Sequence, residues 1–216
     1  MRITFLVDGF NLYHSVVDAS SDLKLEGKGT KWLNIYKLCE SYLHLFGKEA
    51  RLEKIFYFSA LATHMQSESP QKVKKHNDYI KCLESTGLEK IMGSFKRKTN
   101  KYALNKNLSL SVTRHEEKET DVAISIKIVE LFISNMCDFI VLMTGDTDII
   151  PAIKTAKRLF PQKDICCAFP YKRTSTELQD LLPKSFTISK EQYKRFQFQD
   201  NVKLPDGTII EKPSDW

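Results

Sequence analysis

Apolar runs of strand length alternate along this chain with stretches of helical periodicity. Residues 3–7, Ile-Thr-Phe-Leu-Val, form a run that stops at Asp8 and predict a buried strand. Residues 139–143, Phe-Ile-Val-Leu-Met, predict another, which meets Thr144-Gly145 and then Asp146 and Asp148. Further strands are predicted over 52–60, 88–95, 164–169 and 186–188. Residues 102–112 alternate weakly and predict a short extra hairpin around Asn105-Lys-Asn107. The first helix begins over 11–18, and the polar, glycine-containing stretch 20–30 reads as a loop. Thr30 is placed to cap a helix through Trp32, Ile35, Tyr36, Cys39, Tyr42, Leu43 and Phe46, ending at Gly47. Ser69-Pro70 opens a helix that runs to about Ser85, with Gly87 past its end. In the helix predicted over 119–135, Val122, Ile126, Val129 and Ile133 line one stripe. A helix over 149–160 tolerates Pro151 in its first turn, and Thr174-Ser-Thr-Glu177 fits a capping box for a last helix.

Strands separated by helices imply an α/β fold: a three-layer α/β/α sandwich with a mainly parallel, Rossmann-like central sheet. Such sheets bind ligands beyond the carboxyl ends of their strands, where Asp8, Asp146 and Asp148 fall. At 216 residues, with 42% hydrophobic and 28% charged positions, the chain fits one soluble domain. Residues 1–196 are read as that domain, and the polar stretch 197–216 as an extended tail that Trp216 anchors or leaves disordered. The five cysteines show no zinc spacing and point to a reducing, cytoplasmic setting. No segment approaches the ~20 apolar residues of a membrane helix.

The acids carry the chemistry. Residues two apart in an extended segment point the same way, so Asp146 and Asp148 are expected to face one spot, joined there by Asp8. Asp121, in the first turn of its helix, complements the helix dipole and is a further candidate for the cluster. Two carboxylates ~5 Å apart repel by roughly 3 kcal/mol at an effective dielectric of ~20. A group of them calls for protons or a cation, and Mg²⁺ or Mn²⁺ suits carboxylate and water ligands. Such an ion orients and polarises a phosphate and activates water. Asn11 lies near Asp8 as an amide ligand, a phosphate donor or simply a turn residue. Thr144, Thr147 and Lys118 are further contacts for a phosphate, with turn formation or solvation as the plainer roles.

A net charge of +6 permits nucleic-acid binding without demanding it. Lys96, Arg97, Lys98, Lys101 and Lys106 form a basic run with Phe95 and Tyr102, and Arg114 follows. Cations interleaved with aromatics suit a nucleic-acid strand, although charge runs are also ordinary solvated surface. Lys72, Lys74 and Lys75 read as a basic helix face.

Three ordered segments resemble motifs of the NYN domain, a branch of the PIN-like nuclease superfamily: Leu6-Val-Asp-Gly-Phe-Asn-Leu-Tyr13, Lys118-Glu-Thr-Asp-Val-Ala123 and Thr144-Gly-Asp-Thr-Asp-Ile-Ile-Pro151. The ending, Asp206 to Trp216, is similar to the tail of many bacterial members. The resemblance implies a metal-dependent ribonuclease with Asp8, Asp121, Asp146 and Asp148 as the acid set and Asn11 in support. It implies RNA as partner, with single-stranded DNA as the alternative, and 5′-phosphate and 3′-hydroxyl products. Members often carry another acid about two turns into the central helix, where this chain has Lys127, and residues 95–114 look like a basic insertion. Two other readings stand beside it. One is an RNA-binding adaptor of the same fold with vestigial acids. The other is a phosphatase of the haloacid dehalogenase type, which lacks its second acid here because Gly9 and Phe10 follow Asp8.

Overall fold

The computed structural model describes residues 1–25, 29–105 and 108–216, with the side chains of 100–105, 108–110 and 114 outside the description. Its order is β1 (Arg2–Asp8), α1 (Gly9–Asp22), α2 (Ile35–Ser41), β2 (Arg51–Ala60), α3 (Pro70–Glu84), β3 (Glu89–Asn105), β4 (Leu108–Lys118), α4 (Thr120–Ile133), β5 (Phe139–Met143), α5 (Ile150–Leu159), β6 (Asp164–Phe169), α6 (Thr176–Leu181), β7 (Phe186–Thr187), α7 (Lys190–Arg195), β8 (Asn201–Lys203) and β9 (Ile209–Glu211). The seven-stranded sheet runs β4-β3-β2-β1-β5-β6-β7. It is parallel except where β4 pairs antiparallel with β3.

Alternation along the central strands divides the core into two layers. Ile3, Phe5, Val7, Val141 and Met143 join one cluster, with Leu12 and Val16 of α1, Leu38 of α2 and Leu83 of α3. Leu6, Ile140 and Leu142 join the other, with Ile128 of α4, Ile153 of α5 and Leu178 of α6. The result is the three-layer α/β/α sandwich that strand–helix alternation implies.

Several elements differ from the sequence reading. Helix α1 runs on to Asp22, into the stretch read as loop. No helix spans 30–46. Asn34 caps the shorter α2 through Lys37 N, and a 3₁₀ turn covers Leu43–Phe46. Trp32 and Leu33 are instead held by the chain end. Trp32 O accepts from Phe198 N at 2.8 Å, Trp32 Nε1 donates to Gln199 O at 2.9 Å, and Leu33 bridges Gln197. Strand β3 continues through the basic run to Asn105 and pairs with β4 as one long ribbon. The turn expected around Asn105-Lys-Asn107 falls at residues 106–107, outside the described residues. Ser175, not Thr174, caps α6, through Leu178 N, so the expected capping box is not the one used. The stripe on α4 is the sharpest difference. Val122, Ile126 and Ile133 are 62%, 61% and 69% exposed, while Ile124, Ile128, Leu131 and Phe132 are buried.

Within the stretch after Gln197, β8 and β9 pair as an antiparallel hairpin. Trp216 lies edge-on to Trp32 and Tyr79, with ring centroids 6.0 and 5.7 Å apart, and Lys75 holds Asp215 at 2.6 Å. Aromatic pairs contribute about 0.5–1.5 kcal/mol each beyond area burial. Replacing Trp216 with Ala is therefore expected to cost about 1–2 kcal/mol and to lower the melting temperature by roughly 3–6 °C. Unchanged melting would mean that the chain end does not support the Trp32 layer.

Candidate active site

The parallel pairing of β1 with β5 sets Val7 beside Met143, so both strands end at one edge. Asp8 then caps α1: its Oδ1 accepts from Phe10 N at 3.1 Å and Asn11 N at 3.0 Å. Its Oδ2 accepts from the Thr144 hydroxyl at 2.9 Å, and Thr144 Oγ1 accepts from Asp146 N at 3.1 Å. Asn11 reaches across as well, its Oδ1 accepting from Gly145 N at 3.2 Å. Two strand ends and a helix N-terminus are thus knitted together by side chains that the sequence singled out.

Two glycines permit the close approach. A Cβ on Gly9 would lie 2.6 Å from Phe58 O. One on Gly145 would lie 1.8 Å from Arg173 O, well inside contact distance.

Asp146 and Asp148 do not lie on an extended segment. The strand ends at Met143, and Asp146 Oδ1 accepts from Asp148 N at 3.0 Å, so the chain folds into an Asx turn before α5. The alternation argument for their common direction does not apply there. Asp121 sits in the first turn of α4, entered through Glu119 at φ 81°, a left-handed conformation costly for a non-glycine residue.

Electrostatics links these groups. Burial pushes the Asp8 carboxyl up, hydrogen bonds from Asn11 and Thr144 pull it down, and the charges of Asp121 and Asp146 raise it further. Desolvation raises Asp121, followed by the charges of Asp146 and Asp148. Glu117, the penultimate residue of β4, belongs to the same field. It is raised by burial and by Asp8 and Asp121, and accepts from the Thr120 hydroxyl at 2.5 Å. The sequence reading passed over Glu117, although it stands one residue before the Lys118-Glu-Thr-Asp121 motif and four before Asp121. The Tyr57 hydroxyl, fully buried and facing the charges of Asp8 and Glu117, is pushed up to about 12.

Residues 2–189 match the family model for the NYN domain. The chain belongs to the NYN domain family. That family lies within the PIN-like nuclease superfamily, whose enzymes generally use divalent metals. No curated protein matches the chain.

In this NYN domain, no three His, Cys, Asp or Glu side chains among the described residues already form a group that would hold a metal. The donor chemistry still fits a hard cation: every acid named is an oxygen donor, and Asp8, Asp121 and Glu117 are raised by burial first and by neighbouring acids after it. Mg²⁺ keeps several waters and is typically held by one or two carboxylates, so an open acid set suffices.

The basic residues lie on and beside the ribbon. Lys96 pairs with Glu119 at 3.3 Å, while Lys98 and Lys118 pair with Glu116 at 3.2 and 3.0 Å. Arg97 is exposed, and the side chains of Lys101 and Arg114 fall outside the described residues. Lys127 lies 4.9 Å above the Phe56 ring and pairs with Glu130 at 2.8 Å. An open groove of about 930 Å³ runs from Asp121 and Asp148 along Val122, Ile126 and Ile133. No helix is long and apolar enough to cross a membrane, among the described residues.

The raised Asp8 carboxyl has a stability consequence. Its folded value stands above its unfolded one, so the favourable contribution is complete below the unfolded value and is lost as pH rises through the folded value. Asparagine caps helices as well as aspartate. Asp8→Asn is therefore expected to melt higher relative to the native chain near pH 8 than in acid, both in a chelator. The gap should close as pH falls through the folded value. Calorimetry across pH checks this, and a gap that widens on acidification contradicts it.

Proposed function

We propose that this chain is a Mg²⁺- or Mn²⁺-dependent ribonuclease that hydrolyses RNA phosphodiester bonds. What supports the reading is the hydrogen-bonded edge that joins Asp8, Thr144 and Asp146 beyond the carboxyl ends of β1 and β5, with Asp121 near enough for its charge to raise Asp8 and Asp148 near enough to raise Asp121. These four would hold the ion, directly or through water. When bound, it supplies charge neutralisation and Lewis acidity toward a phosphate.

The protein's own groups have separate tasks. Asp8, locked by the α1 amides and Thr144, fixes the position of the acid edge. Thr144 positions both Asp8 and the Asp146 backbone, so it acts through them. Asn11 holds the Gly145 loop in register and keeps its amide nitrogen for a phosphate. Lys96, Arg97, Lys98, Lys101, Lys118 and Arg114 steer and hold the strand along the ribbon, the ion-paired ones by exchanging a carboxylate for a phosphate. Single-stranded DNA fits the same chemistry. Five free cysteine thiols accord with work in the reducing cytoplasm.

A second reading, an RNA-binding adaptor of the same fold, draws on the absence of a preformed metal group among the described residues and on Lys127 in place of an acid. Cleavage of end-labelled RNA and single-stranded DNA in Mn²⁺, Mg²⁺ and EDTA separates the two. The nuclease reading expects metal-dependent cutting that Asp146→Asn lowers by about 10²–10³-fold or more, the order lost with one preorganised electrostatic group, without a change in melting that signals unfolding. Native-like cleavage by that variant would overturn the assignment. RNA binding of equal strength with and without metal, with no cutting, favours the adaptor.

A further inference from the structure

Beside the acid edge, on the α1–α3 side of the sheet, lies a cavity of about 470 Å³ that the proposed chemistry leaves unused. That volume is in the range of small-molecule sites. The cavity shares Gly9 and Phe10 with the helix N-terminus that Asp8 caps, so its mouth adjoins the candidate active site.

Its lining has three chemical parts. The first is aromatic. Phe10 and Tyr13 are 40% and 48% exposed, and Phe10 sits 6.0 Å from the Phe95 ring, with His64 5.0 Å beyond. The second is a buried polar row. Ser59, 3% exposed, lies 3.5 Å from His76 Nε2, and the buried Tyr57 lines the same wall. Burial lowers His76, which keeps it neutral near pH 7 with one donor and one acceptor nitrogen. His64 adds a buried Nδ1 without a hydrogen-bond partner among the described residues. The third is cationic: exposed Lys72 and half-buried Lys31 line the cavity, and Lys75 is engaged by Asp215.

Stacking faces, a short polar edge and cations in the lining are what an unpaired base and its phosphate require. A purely apolar ligand would leave the polar row unmatched, and an inorganic anion would leave the rings unused. We propose that this cavity receives one unstacked nucleobase of the substrate strand, close to the scissile phosphate, with Lys72 and Lys31 on the adjoining phosphate. The assignment rests on the nucleic-acid reading above. It makes the enzyme sensitive to the base at one position relative to the cut, and it requires that position to be single-stranded.

Two measurements test it. In the first, an abasic site is scanned through a single-stranded RNA oligomer and cleavage is measured with the native chain and with Ala62→Trp. Ala62 lines the cavity and is partly exposed, so tryptophan there fills space without removing a core contact. The native chain should lose about tenfold in kcat/KM at one scan position, the scale of one base–aromatic stack. Ala62→Trp should show that loss on the intact oligomer and no position dependence. In the second, 2-aminopurine at that position reports stacking when the oligomer is titrated onto Asp146→Asn, with free AMP as a separate arm. Lys72→Glu, an exposed change that leaves the core alone, should weaken that signal several-fold.

A flat scan with vigorous cleavage overturns the base pocket and leaves the nuclease intact. A 2-aminopurine response that Ala62→Trp abolishes, in a protein that cuts nothing, supports the pocket and overturns the nuclease. Saturation by free AMP with no response to the oligomer assigns the cavity to a soluble nucleotide and overturns the substrate-strand proposal. Absence of any fluorescence response overturns the pocket.

Discussion

The carboxylate of Asp8 holds the candidate site together. One oxygen satisfies two orphan amides at the start of α1, and the other accepts a hydrogen bond from the Thr144 hydroxyl just past β5. Thr144 in turn receives the Asp146 amide, and Asn11 receives that of Gly145. Each donor is a group that would otherwise be left unpaired at an element's end. Burial raises the same carboxylate, and the charges of Asp121 and Asp146 add to that. Under the proposed function, the edge built by this interaction is where a cation would be held.

The central strands β1, β5 and β6 were legible from sequence because they are buried on both faces. Continuous runs such as Phe-Ile-Val-Leu-Met at β5 have no other use in a chain of this kind. Helix α4 shows where that logic runs out. Its sequence is apolar nearly all round, so two stripes compete at helical spacing. Ile124, Ile128, Leu131 and Phe132 face the sheet, while Val122, Ile126 and Ile133 are left to solvent. Periodicity detects a stripe but does not say which one meets the core. The 30–46 region failed for a different reason: its apolar spacing suits a helix, but the returning chain end claims the backbone of Trp32 and Leu33. That contact spans more than 160 residues and leaves no local trace.

The acid set was legible as a set, but less so in its geometry. Strand ends at Asp8 and Met143 placed the acids on one edge, whereas the Asx turn at Asp146 replaced the extended spacing invoked to align Asp146 with Asp148. Glu117 went unnoticed because a glutamate near the end of an outer strand looks like ordinary surface. Only the tight turn from β4 into α4, with the Thr120 hydroxyl on Glu117, brings it into the field of Asp8 and Asp121. The basic run was visible as charge, yet Lys96 and Lys98 of β3 pair across the ribbon with Glu119 and Glu116, while Lys118 pairs with Glu116 on its own strand.

The central claim is that mutual repulsion at this edge is relieved by a divalent cation. The direct measurement is the melting temperature of the native chain near pH 7.5, titrated with Mg²⁺ or Mn²⁺ against NaCl of matched ionic strength. A saturable rise above the NaCl control, lost when Asp146 and Asp148 are both asparagine, is the result this account predicts. Identical curves for divalent and monovalent salt would contradict it, whatever the cleavage assays show.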